Sequence, residues 1–197
     1  MSQRAVAQAI PELPATGIPT GKLGMWVFLV SEIMFFTGLI GSYIVLRLGS
    51  PSWPNPQEIL SIGLLAINTI VLISSSLTMA LSLDAIKHGR QKALQRFLLL
   101  TVLLGSTFLF IKLFDYLRLW HEGLTIASSL FGSCYYMLTG FHALHVLSGV
   151  ILMLYLFVAA SRGMFSSAGY GRIEYSGLYW HFIDIVWVIL FAILCLV

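Results

Sequence analysis

Glu32, His142, His145, His181 and Asp184 all stand inside runs of apolar residues. Ionisable groups in hydrocarbon cost on the order of a few kcal/mol each, so they face a bundle interior, a water-filled path or a partner. His142 and His145 are three apart, as are His181 and Asp184, so each pair shares one face of a helix. Histidines beside carboxylates support three chemistries: metal ligation, proton handling and hydrogen bonding between helices. Helical bundles hold metals with inward glutamates and Glu-x-x-His pairs. The chain has no Glu-x-x-His, and only Glu32 lies in the inner half of an apolar run. That argues against a metal site. Inter-helix hydrogen bonding, proton handling and docking against a proton-handling subunit remain. No catalytic residue is assigned. Lys112, Asp115 and Arg118 form a second group, spaced three apart near one end of the third run. They read as an ion pair along one helical face or as a functional cluster.

The elements that position these residues are five apolar runs, at about 23–48, 59–83, 97–120, 130–160 and 177–197. Each has roughly the 20 residues a helix needs to cross the hydrocarbon. Helices are required there because backbone polar groups find no water. The expected fold is all-α: a polytopic transmembrane bundle of five helices, forming a single domain over 22–197 behind a mobile, proline-bearing tail over 1–21. Glu32 and Asp184 each sit about ten residues into their spans, or about 15 Å. With the two central histidines they are expected to meet at one depth.

Composition agrees. Of 197 residues, 58% are hydrophobic and 10% charged, against about 25% charged in a soluble domain. Mean hydropathy is +0.92. The net charge of +3 sits mostly in loops, which excludes nucleic acid as a partner and instead sets orientation. Arg4, Lys22, Lys87, Arg90, Lys92, Arg96, Arg162 and Arg172 fall on one side, and Arg47 and Arg118 on the other. By the positive-inside rule the N-terminus is cytoplasmic and the C-terminus outside. Cys134 and Cys195 have no CxxC or Cys/His spacing, so neither a disulfide framework nor a zinc site is expected. The runs contain no internal proline to break a helix at mid-membrane, which weighs against a small channel or proton-coupled transporter. Ser74, Ser75, Ser76 and Thr78 read as helix-packing residues.

At these motifs the chain resembles subunit III of the haem–copper terminal oxidases. Residues 139–146, TGFHALHV, resemble the family signature TGFHGLHV, with Ala143 in place of glycine. Residues 179–187, YWHFIDIVW, resemble the signature YWHFVDVVW. Ser31-Glu32-Ile33-Met34-Phe35-Phe36 resembles the first block, and Phe114-Asp115-Tyr116 one in which Glu-Tyr is more usual. The likeness runs from about Lys22 to Val197 in unbroken order and is to the short, five-helix bacterial form.

The resemblance implies an accessory subunit without a redox centre of its own. Haem and copper would belong to partner subunit I, which reduces oxygen to water and pumps protons. It implies packing on subunit I beside other oxidase subunits, support of proton uptake, bound phospholipid, durability of the active site, and a bacterial cytoplasmic membrane. A respiratory supercomplex is compatible with it. The alternatives are a related protein serving nitric oxide reductase or, in a different class, the transporter or channel weighed above.

Overall fold

A computed structural model of the chain describes residues 19–166 and 169–195. It contains six helices: α1 (Thr20–Gly49), α2 (Pro56–Ile59), α3 (Ile62–Lys87), α4 (Gln91–His121), α5 (Leu130–Ser161) and α6 (Gly171–Cys195). Among the described residues there is no strand. All but α2 are long and apolar enough to cross a membrane. The tail expected over 1–21 lies outside the described residues up to position 18, and its last two residues already belong to α1.

Local chemistry sets the breaks. Pro51, Pro54 and Pro56 keep helix from continuing between α1 and α3. Only the four-residue α2 forms there, with Pro56 at its first position and the Asn55 side chain accepting from Gln57 N–H at 3.2 Å. The α3–α4 and α4–α5 breaks are glycine-capped. Gly89 (φ 71°) and Gly123 (φ 88°) hold the left-handed conformation that a side chain disfavours. Each lets the next N–H reach back, Arg90 to Ala85 O at 2.8 Å and Leu124 to Leu119 O at 2.9 Å. The charged segment from Asp84 to Arg96 looks like a long break in sequence but is mostly helix, interrupted only at 88–90. Helices that outrun the hydrocarbon carry their charged turns into water, so charge there marks the membrane boundary and not the helix end.

α3, α4 and α5 pack in sequence order, and α6 closes against α3 and α5. α1 lies on α5 and α6 and is the most exposed span, whereas α6 is the most buried. The outer faces are apolar, with Met34, Val45, Ile70, Phe110 and Ile185 exposed. A helix apolar on every side belongs in a bilayer. Cys134 and Cys195 are buried free thiols.

Trp180 is the centre of the packing. It is fully buried, and its ring fills notches left by two glycines. A Cβ on Gly105 would stand 2.7 Å from the ring and one on Gly149 2.8 Å from it. Its indole N–H donates to Ser75 Oγ at 3.0 Å. One side chain of α6 thus contacts α3, α4 and α5. Gly149→Ala is expected to destabilise the bundle by about 1–3 kcal/mol, as overpacking does. Gly38→Ala, on α1 with nothing within 4 Å of its Cβ position, is expected to change little. Heat-induced aggregation in detergent measures both, and Trp180→Leu added to Gly149→Ala should recover part of the loss.

Candidate functional site

The ionisable residues fall into separate groups, each spanning a different pair of helices. The first joins α1 to α5. Glu32 Oε2 lies 2.9 Å from His145 Nε2, and both side chains are mostly buried. His145 Nδ1 lies 2.7 Å from the Phe141 carbonyl. A carbonyl only accepts, so Nδ1 carries a proton. Nε2 then either accepts from a carboxylic acid or donates to a carboxylate. Both arrangements place one proton between Glu32 and His145 and leave the pair neutral, which suits a position in hydrocarbon. The rings of Phe35 and Phe36 flank the imidazole at centroid distances of 6.0 and 5.0 Å.

The second group joins α3 to α6. His181 Nδ1 is hydrogen-bonded to Ser76 Oγ. Asp184, one turn on, is buried, and neither of its oxygens has a hydrogen-bond partner among the described residues. The neighbouring signature residues also bind the α3 hydroxyls or α5: Trp187 Nε1 donates to Thr69 Oγ1 at 2.9 Å, and the Tyr179 hydroxyl pairs with Ser148 Oγ at 2.7 Å.

His142 stands apart from both. It is fully buried, stacked on Trp187 at 5.0 Å between centroids and edge-on to Phe108 at 5.8 Å. Neither ring nitrogen has a partner among the described residues. The meeting of Glu32, His142, His145 and Asp184 is therefore realised by direct hydrogen bonding only for Glu32 and His145. The helix turns His142 into the core and His145 toward α1.

Lys112, Asp115 and Arg118 are brought together, and α5 completes them. Lys112 and Asp115 are each 1% exposed. Lys112 Nζ donates to Tyr135 OH at 2.6 Å and to Asp115 Oδ2 at 3.3 Å, and Tyr135 OH donates to the same Oδ2 at 2.8 Å. Arg118 reaches Asp115 Oδ1 at 3.3 Å and Glu122 at 3.4 Å. The ammonium also lies over the rings of Tyr135 at 4.6 Å, Tyr116 at 5.0 Å and Trp187 at 5.5 Å. Cation–π contacts of this kind strengthen when desolvated.

Sequence reasoning missed Tyr135 and the functional weight of Thr69, Ser75 and Ser76. Their signal was available only in combination. Serines in such helices commonly bond the carbonyl one turn back, as Ser74 does to Ile70 O at 2.8 Å. Residue type alone does not separate that from a contact with α6.

Among the described residues no three His, Cys, Asp or Glu side chains gather as a metal-binding group. Five membrane-crossing helices linked through polar side chains define a multi-pass helical membrane protein. The family model for cytochrome c oxidase subunit III matches residues 15–196, and the chain belongs to that family. It is 37% identical over 173 residues to cytochrome c oxidase subunit 3 of Corynebacterium diphtheriae, covering 86% of this chain and 84% of that protein. It is 39% identical over 176 residues to cytochrome c oxidase subunit 3 of a Synechocystis species, covering 88% and 74%. A probable cytochrome c oxidase subunit 3 of Mycobacterium tuberculosis is 36% identical over 174 residues, covering 88% and 86%.

Breaking the Lys112–Asp115 pair strands a buried charge. Lys112→Met and Asp115→Asn are each expected to cost about 2–4 kcal/mol, below or within the range for buried ion pairs. The double variant should lose less than the sum. Thermal denaturation of the four proteins in detergent gives the coupling, and strict additivity would show that the two groups do not interact.

Proposed function

We propose that this chain is the third subunit of a respiratory haem–copper oxidase in a bacterial cytoplasmic membrane, packed on the catalytic subunit I. The observation that carries this reading is the family match over residues 15–196. In this reading the haem and copper belong to subunit I, and this chain contributes surroundings: a proton-holding pair, lipid-binding faces and mechanical support. Other oxidase subunits and membrane lipids complete its partners.

The Glu32–His145 pair supports a role in proton uptake. It holds one proton between two basic atoms 2.9 Å apart, so that proton can shift without creating net charge in the membrane. Its flank is partly exposed, within reach of a neighbouring subunit or water. Lipid retention is supported by apolar grooves. One of about 310 Å³, lined by Leu39, Tyr43, Leu46, Cys134, Met137 and Leu138, runs between α1 and α5 and has the chemistry of an acyl-chain site.

The distribution of charge supports an orientation. Lys22, Lys87, Arg90, Lys92, Arg96, Arg162 and Arg172 lie at the end shared by the start of α1, α4 and α6 and the finish of α3 and α5. Lys22 bonds Glu174 at that end at 2.9 Å, tying α1 to α6. This reading places the N-terminus in the cytoplasm and the C-terminus outside. Reporter fusions are expected to report opposite sides for the two ends, and both on one side would contradict five spans.

The central test is purification of the tagged chain with its complex. Haem absorbance and oxygen consumption should co-purify. Glu32→Gln keeps shape and hydrogen bonding but removes the titrating group, so the assembled complex is expected to retain its initial oxygen-consumption rate. It should then lose activity over fewer turnovers than the wild type. Immediate, complete loss of oxygen reduction in a fully assembled Glu32→Gln complex would give Glu32 a direct catalytic role and overturn the accessory reading.

A further inference from the structure

Where α3 meets α6, a groove of about 400 Å³ opens on the outside of the bundle, lined by Ile73, Ser76, His181, Asp184, Val188 and Ile189 among others. Its apolar walls are exposed, Ile73 and Val188 being 50% and 44% accessible. Asp184 is only 6% accessible, yet both carboxyl oxygens lack a hydrogen-bond partner among the described residues. The adjacent Ser76 hydroxyl is hydrogen-bonded to His181 Nδ1 and makes no hydrogen bond of ordinary geometry to Asp184. A buried carboxyl without a donor is costly, and more so in hydrocarbon.

Depth restricts what can supply the donor. Asp184 lies roughly 13 residues, or about 20 Å, from Gly171 and roughly 11 residues, or about 17 Å, from Cys195. That is the middle of a core about 30 Å thick. A lipid headgroup does not reach it, and an acyl chain has no donor. The backbone N–H groups of a neighbouring helix are taken up by its own ladder. A side chain on a membrane-embedded helix can carry a donor to this depth. The chain belongs to the cytochrome c oxidase subunit III family, so the helix is assigned to another subunit of that complex, and a protein adduct formed only with a second copy of this chain would overturn the assignment.

The groove between α4 and α5 makes the contrast. It has about 420 Å³ and is lined by Leu109, Leu113, Gly140, Leu144 and Leu147 with Lys112 and Tyr116. Those two polar side chains are already partnered within the chain. Lipid tails satisfy that face, and they do not satisfy the α3–α6 face.

We propose that the α3–α6 groove is the face on which a transmembrane helix of another oxidase subunit docks, with a side-chain hydrogen-bond donor of that helix engaging Asp184. This rests on the reading of the chain as an oxidase subunit and adds which face makes the contact and by what chemistry.

The test uses the full chain produced with its complete oxidase in native membranes. A photoreactive amino acid is placed at Val188 in the groove or at Leu144 on the α4–α5 face. Illumination is expected to yield one protein adduct from position 188, identified by mass as a single other subunit of the oxidase, and no protein adduct from 144. In parallel, Asp184→Leu should lower the haem recovered per tagged chain at least about fivefold. Asp184→Asn, which keeps shape and an acceptor, and the control Leu147→Trp should stay within about twofold. If Asp184→Leu does not accumulate, the adduct from position 188 decides. Lipid-only or no adducts at 188, while the wild-type chain still brings down haem, overturn the docking face and leave the subunit reading intact. A wild-type chain that brings down neither haem nor any oxidase subunit overturns both.

Discussion

Trp180 is the constraint on which the rest of the bundle depends. Its ring occupies space that only Gly105 and Gly149 leave open, and its N–H is satisfied by Ser75. In a bilayer the lipid tails are as apolar as the helices, so burial alone does not drive helices together. Close fit and interhelical hydrogen bonds must do it. Trp180 supplies both at one point, and that point fixes α6 against α3, α4 and α5. Once α6 is placed, the register of its other polar residues follows. Tyr179 meets Ser148, His181 meets Ser76, and Trp187 meets Thr69.

The same rule explains how charge is carried. Lys112 and Asp115 are buried nearly as deeply as the aliphatic residues of the core, but they are not isolated. Tyr135 bridges them, Arg118 and Glu122 extend the alternation of sign toward the helix end, and three aromatic rings face the ammonium. The Glu32–His145 pair is joined by a hydrogen bond across α1 and α5. His142 is held differently, as a ring stacked on Trp187 in an aromatic pocket. The hydrogen-bonded groups each close within two or three helices, while the ring nitrogens of His142 have no partner among the described residues, so the groups do not form one continuous network.

Much of this was legible in the sequence. Apolar runs long enough to cross a membrane marked all five spans, and spacing of three placed Lys112, Asp115 and Arg118 on one face. What spacing does not give is the direction in which a face points. His142 and His145 are about 60° apart around α5 at 100° per residue, near enough to read as one site. A helix apolar on all sides has no polar stripe to say which flank is inward. The packing decides, and it sends one histidine to the core and the other to α1. The segment 84–96 misleads for a related reason. Charge and helix are compatible outside the hydrocarbon, so a charged stretch locates water and leaves the helix ends to Gly89 and its cap. The hydroxyls of Thr69 and Ser75 bond their own helix and also accept from the ring N–H groups of α6, a second contact that residue type alone does not announce.

Asp184 is the point where these solutions stop. The other two carboxyls within the apolar runs are hydrogen-bonded: Glu32 to His145, and Asp115 to Lys112, Tyr135 and Arg118. Asp184 sits on the most buried span, three residues from a histidine whose Nδ1 is bonded to Ser76, and has no hydrogen-bond partner among the described residues. A chain that closes its other carboxyls so thoroughly does not lack the means to close this one. Substituting a nearby apolar position such as Ile73 by serine or asparagine would place a donor on the groove wall. A carboxyl left open at mid-depth, on a face of isoleucine and valine with Ser76 and His181 beside it, has the form of half an interface, and the docking proposed above supplies the other half.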